Sequence, residues 1–254
     1  MEYIILILLA VLPALILWKY INGLDKHKEP IGVLRKLFFG GFLSIIITLV
    51  ISLVLSLIFT DFFEYEPDFS ITGFLYTILG VGLVEELSKF LMMYAFGWHE
   101  KELDETYDVI LYSMIVALGF ATAENIMYAL DGGFTTTFFR IFTAVPGHVI
   151  DGAFMGYFLY LYRIKPKEKI NLILAIAVPT LAHGLYDFIV FTAESILDVA
   201  IFVAYVVTEF IIAKKLVKKM AAESKFLPLP TIYCSNCGTQ INTRFCHNCG
   251  KERE

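Results

Sequence analysis

The chain is poor in charge. Only 18% of its 254 residues are Asp, Glu, Lys or Arg, whereas 58% are hydrophobic and the mean hydropathy is +0.71. This composition excludes an ordinary soluble globular domain. The first apolar segment lacks a positively charged flank and an Ala-x-Ala-like site, so we expect it to be a retained helix. No basic stretch indicates nucleic-acid binding, and no internal repeat is visible.

Cysteine is absent from the apolar part of the chain. The four cysteines are Cys234, Cys237, Cys246 and Cys249. They form two C-x2-C pairs separated by eight residues, and each pair is followed by a glycine that permits a tight turn. Four thiolates at this spacing bind one Zn²⁺ tetrahedrally. We therefore predict a structural zinc ribbon at residues 231–254, after a linker at 221–230, and expect it to contact a cytoplasmic protein partner.

Seven apolar stretches approach or exceed the length of about 20 residues that a helix needs to cross a bilayer. They are residues 4–20, 37–60, 71–98, 109–130, 138–162, 170–191 and 197–212. The fold class predicted for residues 1–220 is therefore all-α, a polytopic transmembrane bundle of about seven helices in the lipid bilayer of the plasma membrane.

The basic residues indicate how the bundle is oriented. Lys and Arg cluster after the first, fifth and seventh stretches, whereas residues 61–69 and 131–137 contain none. Under the positive-inside rule, this places the N-terminus outside and the C-terminus in the cytoplasm. The loop at 99–108 is acidic with a single lysine, so it adds little to this assignment.

The third stretch carries three charges in the sequence V-E-E-L-S-K-F: Glu85, Glu86 and Lys89. Each costs about 2.5–3.5 kcal/mol at the centre of a bilayer on insertion scales, so the group needs a reason. Glu85 and Lys89 are four residues apart and are expected to pair along one face. Glu86 points about 100° away, which leaves it freer to act.

Three further stretches carry polar residues: Glu124 and Asn125 on the fourth, His148 on the fifth, His183 and Asp187 on the sixth. His183 and Asp187 are spaced so that the carboxylate can orient the imidazole. Pro146 and Pro179 precede the two histidines and are expected to loosen their helices.

Each of these residues also has a structural interpretation. A glutamate paired with a lysine can simply join helices, and a lone membrane histidine is usually a hydrogen-bonded core residue. We interpret Asp151, Asp198, Glu209 and Arg140 as structural or interfacial. The joint occurrence of carboxylates and imidazoles on four successive helices nevertheless favours a functional polar cavity.

The motifs E-E-x-x-K, F-x-x-x-E, a proline-proximal His and H-x-x-x-D occur in that order within residues 71–191. They resemble the PrsW family of intramembrane proteases, which belongs to the clan of the CAAX prenyl proteases and Abi-type membrane proteins. By this resemblance the motif positions are Glu85, Glu86, Lys89, Phe120, Glu124, His148, His183 and Asp187. One departure is Ala144, because relatives in the clan often have Phe four residues before the motif histidine.

The resemblance implies cleavage of a single-span membrane protein, such as an anti-sigma factor, on its extracytoplasmic side. The loop charges agree independently. At about 1.5 Å per residue from the outer boundaries, Glu124, His183 and His148 lie about 9, 12 and 15 Å deep. The predicted site therefore opens outward.

As a hypothesis, Glu86 is the general base that activates water. His148 and His183 either bind a catalytic Zn²⁺ or donate to the oxyanion, and a metal-free mechanism stays open. Asp187 orients His183, and Asn125 offers another donor.

Two other functions fit the same residues. A proton- or ion-coupled transporter also needs carboxylates and histidines at mid-membrane, although the chain lacks an inverted repeat. A catalytically silent binding or immunity-type protein of the same clan would keep the fold without the chemistry.

Overall fold

The computed structural model describes residues 2–60, 65, 67–227, 232–241 and 245–251. In this part of the chain seven long helices follow one another. They are α1 (Glu2–Leu24), α2 (Ile31–Ile58), α3 (Ile71–Phe96), α4 (Thr106–Phe142), α5 (Ala144–Ile164), α6 (Ile170–Thr192) and α7 (Ile196–Ala222). The prediction of an all-α transmembrane bundle is confirmed.

Six of the seven helices are long and apolar enough to cross a membrane. The exception is α5, whose 21 residues are long enough to cross a membrane. Its apolar character is diluted by polar residues, among them His148 and Asp151, which are buried in the bundle. The lower hydropathy of α5 therefore comes from groups that face the protein interior.

Helix α4 is the centre of the bundle, since 94% of its most apolar stretch is buried. Glycines let neighbouring helices touch its backbone. A Cβ at Gly41 of α2 would lie 1.9 Å from Val116 O, and a Cβ at Gly156 of α5 would lie 2.6 Å from Ile110 Cα. Close contacts through small residues are a usual basis of helix association in membranes.

The loops between helices alternate between the two ends of the bundle. At one end, Arg163 Nη1 donates to Trp98 O at 3.1 Å, and Thr106 N donates to Lys225 O at 3.0 Å. The acidic loop at 97–105, whose charges gave little guidance, therefore lies with the basic loops. At the other end, Tyr186 Oη donates to Thr143 Oγ1 at 3.0 Å. The helices thus alternate as the loop charges predict.

Residues 131–137, expected to form a loop, are helical except at Gly133, where a kink joins the two helical segments of α4. Only Gly133 departs from helical geometry, with φ 67° and ψ −157°. A glycine adopts positive φ without steric cost, so the chain bends at one residue and stays helical on both sides.

The two prolines differ in position. Pro179 lies inside α6, as predicted. Pro146 lies in the first turn of α5, which begins at Ala144, where a missing N–H leaves no helix bond unmade. The expected loosening around His148 is therefore wrong.

The C-terminal part contains two short antiparallel strands, β1 (Ile232–Tyr233) and β2 (Gln240–Ile241). In the predicted linker, residues 223–227 pack on the α3–α4 loop, where Leu227 N donates to Asp104 O at 2.6 Å. Some residues of the predicted segments lie outside the described part of the chain. They are 61–64 and 66 in the segment 61–69 between α2 and α3, 228–230 in the linker, and 231, 242–244 and 252–254 in the ribbon.

Candidate active site

The predicted site residues of α3, α4, α5 and α6 meet inside the bundle. Helices α3 and α6 approach closely because glycines face each other: a Cβ at Gly82 would lie 2.9 Å from Thr180 O, and one at Gly184 would lie 2.7 Å from Ile78 Cα. Residues Tyr76–Gly82 of α3 form a π-helix, which ends just before the two glutamates. Single-turn π segments occur frequently at functional sites.

Glu86 is the most enclosed carboxylate of the cluster, with no exposed surface. Its Oε1 atom lies 2.5 Å from Lys89 Nζ and 2.8 Å from His183 Nδ1. Its Oε2 atom is buried without a hydrogen-bond partner among the described residues. Glu86 therefore holds two helices together through one oxygen and keeps the other available.

Lys89 pairs with both glutamates of α3, and the expected pair with Glu85 is the longer one. Lys89 Nζ bonds to Glu86, three residues away, and lies 4.0 Å from Glu85 Oε2. Spacings of three and four residues both bring helical side chains together, and here the buried position of Glu86 decides between them. Glu85 is the freer of the two, because it faces the cavity described below and its Oε2 has no hydrogen-bond partner in the described structure.

His148 lies between two charged groups. Lys89 Nζ is 2.9 Å from its Nδ1 atom, and Glu124 Oε2 is 2.7 Å from its Nε2 atom. Phe120, the aromatic residue of the F-x-x-x-E motif, contacts the imidazole edge to face and lies under Lys89 Nζ at 4.4 Å. The motif phenylalanine therefore packs against both the cation and the histidine.

His183 is surrounded by carboxylates. Its Nε2 atom lies 3.3 Å from Asp187 Oδ2 and 3.5 Å from Glu85 Oε2. Its ring centroid is 5.0 Å from that of His148. The spacing of His183 and Asp187 in the sequence thus predicts a contact that the structure contains.

Arg140 and Asp151 belong to the cluster, although the sequence indicated structural roles for both. Arg140 Nη2 lies 2.5 Å from Glu124 Oε2, because the bend at Gly133 turns the last part of α4 back towards its first part. Asp151 Oδ2 lies 3.9 Å from His183 Nδ1. Its position three residues after His148, on the same helix face, was a signal that could have identified it.

Asn125 and Asp198 each form hydrogen bonds with neighbouring groups of the protein. Asn125 Nδ2 donates to Ala10 O at 3.0 Å, and its Oδ1 atom accepts from Arg140 Nε at 3.1 Å. One of the two N–H groups of this amide is thus used by α1, and the role of Asn125 as an oxyanion donor stays a prediction. Asp198 accepts from Ser195 N at 2.8 Å and caps α7, as a structural residue does.

A cavity of about 320 Å³ opens beside the cluster. The acidic, basic and histidine side chains of the cluster line it: Glu85, Glu124, Arg140, His148, Asp151, His183 and Asp187. Glu209 of α7, interpreted from sequence as structural, lines it too. Thr143 and Phe191, at the end of the bundle opposite the basic loops, also lie on its wall. The cavity gives a substrate access to the carboxylates and histidines of the cluster.

Two sets of side chains in the cluster could hold a metal ion. Glu86, His148, Asp151 and His183 each place one ligand atom within 4.8 Å of the others, and so do Glu85, Glu124 and His148. Two imidazoles with carboxylates are a common donor set of catalytic zinc sites. The unpartnered Oε2 of Glu86 fits such a site, because a buried acceptor without a donor is costly.

The four cysteines form the other candidate metal centre. Their sulfurs lie within 4.8 Å of one another, with Cys234 Sγ 3.6 Å from Cys249 Sγ and Cys237 Sγ 3.5 Å from Cys246 Sγ. Zn–S bonds of about 2.3 Å in a tetrahedron place sulfurs about 3.7 Å apart. Gly238 and Gly250 have φ of 70° and 73°, so both turns require glycine, as predicted.

Comparison with known proteins identifies relatives of the membrane domain. The model of the PrsW family intramembrane metalloproteases matches residues 29–213. The chain is 35% identical to Protease PrsW of Oceanobacillus iheyensis, over 70% of this chain and 79% of that protein. It is 34% identical to Protease PrsW of Clostridioides difficile (72% and 78%) and 30% identical to that of Bacillus subtilis (70% and 78%). No solved structure matches.

Proposed function

Because the chain belongs to the PrsW family of intramembrane metalloproteases, we propose that its buried polar cluster hydrolyses a peptide bond of a membrane-anchored protein. The predicted family and the predicted protease activity are confirmed, and the chain is a multi-pass membrane protein. The roles of individual residues, the metal, the substrate and the orientation of the chain are the proposal argued below.

The observation that carries the proposal is the convergence of His148 and His183, whose ring centroids are 5.0 Å apart, with carboxylates from five helices beside one cavity. Peptide hydrolysis needs an activated water, a stabiliser for the oxyanion and an acid for the leaving amine. A cavity lined by carboxylates, imidazoles and a guanidinium contains side chains of each kind.

We assign Glu86, His148, Asp151 and His183 as the ligands of a catalytic metal, because their donor atoms lie within 4.8 Å of one another. A bound Zn²⁺ would supply a Lewis acid for the scissile carbonyl and a water nucleophile at neutral pH. The chain orients the ligands: Glu124 accepts from His148 Nε2, and Lys89 keeps Glu86 in place.

Glu85 is the proposed general base, in place of Glu86. It lines the cavity, and its Oε2 atom has no hydrogen-bond partner in the described structure. Glu86 is fully buried and does not line the cavity, so water in the cavity meets Glu85. Asp187 contacts His183 Nε2 at 3.3 Å and orients that imidazole.

The proposed substrate is a single-span membrane protein, such as an anti-sigma factor, cut on its extracytoplasmic side. Two observations support this. The basic loops predict a cytoplasmic C-terminus. The cavity extends to Thr143 and Phe191, at the opposite end of the bundle from those loops.

The cysteine module has a separate proposed role. Its four sulfurs fit a tetrahedral, structural Zn²⁺ with all ligand positions filled by protein, which leaves none for catalysis. It also lies outside the segment that the family model matches. We propose that it folds around zinc and docks a cytoplasmic protein.

The test compares new protein N-termini in membranes of cells that express the wild type, Glu85→Gln, Glu86→Gln or His183→Ala. Glu194→Gln is the matched control, because this glutamate is exposed near the end of α6. Loss of a general base costs about 10²–10⁴-fold in rate, so the new N-termini should disappear in the three variants and persist in the control. Cleavage at the wild-type rate by both glutamate variants would refute the assignment.

A further inference from the structure

A second cavity adjoins the catalytic cavity. A cavity of about 210 Å³ lies between α5, α6 and α7, and four residues line both: Thr143, Gly147, Tyr186 and Glu209. The rest of its wall is apolar, formed by Phe142, Pro146, Ile150, Val206, Val207 and Phe210. An apolar recess therefore lies directly beside the polar cluster, with these four residues between them.

Gly147 marks the place where the two cavities meet. Its backbone does not have positive φ, and no atom lies within 4 Å of the place where a Cβ would be. The other two glycines of α5 differ, because a Cβ at Gly152 or Gly156 would lie 2.8 Å or less from atoms of α4. Glycine inside a helix costs about 1 kcal/mol relative to alanine. At Gly147 neither backbone geometry nor helix contact requires it, so what the glycine provides is open space.

The second cavity reaches the outer surface of the bundle. Val207 and Phe210 of α7 are about half exposed, at 50% and 49%, and Phe142 is 62% exposed. Helix α7 is also peripheral, since only 6% of its most apolar stretch is buried. In a membrane these exposed apolar side chains face lipid, so the recess is open sideways between α5 and α7.

We propose that a membrane-spanning segment of the substrate reaches the active site sideways from the lipid, between α5 and α7, through the gap at Gly147. The inference rests on the proposed function and names the route and the part of the substrate that uses it. The apolar walls of the second cavity match the side chains of a transmembrane segment.

The polar residues at the junction support the same occupant. A peptide segment must leave its helix before a bond in it can be cut, and its freed N–H and C=O groups then need partners. Thr143, Tyr186 and Glu209 offer hydroxyl and carboxylate oxygens that can accept from such N–H groups where the apolar recess meets the cluster. The hydroxyl hydrogens are used within the protein, because Tyr186 Oη donates to Thr143 Oγ1 and Thr143 Oγ1 donates to Phe139 O. A lipid acyl chain has no polar groups that could form hydrogen bonds with these side chains.

The experiment uses the full-length protein in phospholipid vesicles with a synthetic single-span peptide, rich in Leu and Ala and about 20 residues long. A photoreactive side chain replaces Val207 in the outer cavity, Thr136 in the catalytic cavity, or Ile46 on the exposed surface of α2. We expect peptide adducts at Val207 and Thr136 to be at least fivefold more abundant than at Ile46.

The Gly147 series then tests the route. Gly147→Ala, Gly147→Val and Gly147→Leu should progressively reduce the yield of the Thr136 adduct, at least fivefold for Gly147→Leu. The yield of the Val207 adduct should not change. Gly32→Leu is the matched control, because that glycine also has no atom within 4 Å of a Cβ and lies outside both cavities. Melting temperatures are measured for every variant of the series. A loss of the Thr136 adduct at an unchanged melting temperature indicates a filled gap, whereas a lowered melting temperature indicates a misfolded bundle.

The adducts do not require catalysis, so they should form equally in a Glu85→Gln background. Failure of the proposed function would therefore leave the cross-links unchanged. Adducts to phospholipid alone at Val207, or a Thr136 adduct that Gly147→Leu does not reduce, would overturn the proposed route.

Discussion

The Nε2 atom of His148 lies 2.7 Å from Oε2 of Glu124. A carboxylate accepts, so Nε2 carries the hydrogen, and the lone pair of Nδ1, which faces the Lys89 ammonium at 2.9 Å, is the one that a bound metal would take in place of the ammonium. The same glutamate oxygen also accepts from Arg140 at 2.5 Å. A carboxylate in this position fixes the tautomer and the orientation of a metal-binding histidine. The segment that follows the bend at Gly133 therefore helps to set the geometry of a histidine on the next helix.

Arg140→Gln should lower kcat/KM and metal affinity about 10–100-fold, the usual effect of losing a residue that orients a ligand. Arg140→Lys should recover part of this, since it keeps the charge but not the two-pronged contact with Glu124 and Asn125. Peptide cleavage and metal titration of the purified protein measure both effects.

The matched control for Arg140 is Arg163→Gln. Arg163 donates to Trp98 O and Leu103 O at the opposite end of the bundle, so its loss should change stability without changing metal affinity. Equal losses of metal affinity in both variants would mean that Arg140 acts only on the fold.

Lys89→Met should destabilise the bundle by about 3–5 kcal/mol, because it leaves the buried Glu86 carboxylate without its ammonium partner and with only the imidazole of His183. Adding Glu86→Gln should restore much of that loss, since the double variant buries no uncompensated charge at this pair. Lys36→Met is the control, as the Lys36–Glu100 pair lies at the surface and contributes at most about 1 kcal/mol. Denaturant unfolding in detergent measures the wild type, Lys89→Met, Glu86→Gln, the double variant and the control. Additive effects of the two substitutions would contradict the coupling.

The sequence predicted the helices and the principal site residues because both have strong local signals. Apolar runs of membrane-spanning length need no partner to be recognised. Charges such as Glu85 and Lys89 inside such a run are conspicuous, because they are costly there. The contact of His183 with Asp187 follows from their spacing within a single helix.

What the sequence did not predict depends on contacts between helices. Whether Lys89 lies closer to Glu85 or to Glu86 is decided by which carboxylate is buried against α6, and spacing on α3 contains no such information. Arg140 reaches Glu124 only because the chain bends at Gly133. A stretch such as Asp-Gly-Gly resembles a loop in sequence, although a single glycine suffices for the bend.

Gly119→Ala should destabilise the contact between α2 and α4. A Cβ at this position would lie 2.0 Å from Phe38 O, so the two backbones must separate. Overpacking of this kind costs about 1–3 kcal/mol, and a backbone atom cannot yield as a side chain can. Gly32→Ala serves as the control, because it meets nothing within 4 Å. Equal melting temperatures of the two variants would contradict the close packing.

Stability should fall as pH rises from about 4.5 to 8, because burial raises the pKa of Glu29 from 4.5 to about 8. Asp108, Asp25 and Asp104 add to the shift, and the Tyr112 hydroxyl, which donates to Glu29, opposes it. Below pH 4.5 both states hold the proton, and the stability is fully present. Between 4.5 and 8 only the unfolded state releases the proton, so each increment of pH favours unfolding.

Glu29→Gln should flatten this part of the stability profile, since an amide does not titrate. Glu168→Gln, on the exposed loop between α5 and α6, is the control and should leave the slope unchanged. Unfolding curves at half-unit pH intervals measure the slope, and the same slope in Glu29→Gln would exclude this carboxyl as its source.

Zinc should be bound at two independent places. We expect two metal ions per wild-type chain, and one in the double variant Cys234→Ser/Cys237→Ser, which removes half of the cysteine ligands. His148→Ala/His183→Ala should also bind one, and the combined variant none. The cysteine variant should lose the order of the C-terminal module yet keep the membrane site, because the two sets of ligands share no residue. Elemental analysis measures the number of metal ions per chain, and hydrogen exchange of residues 232–251 measures the order of the C-terminal module. Complete loss of metal in the cysteine variant would refute a metal in the membrane site.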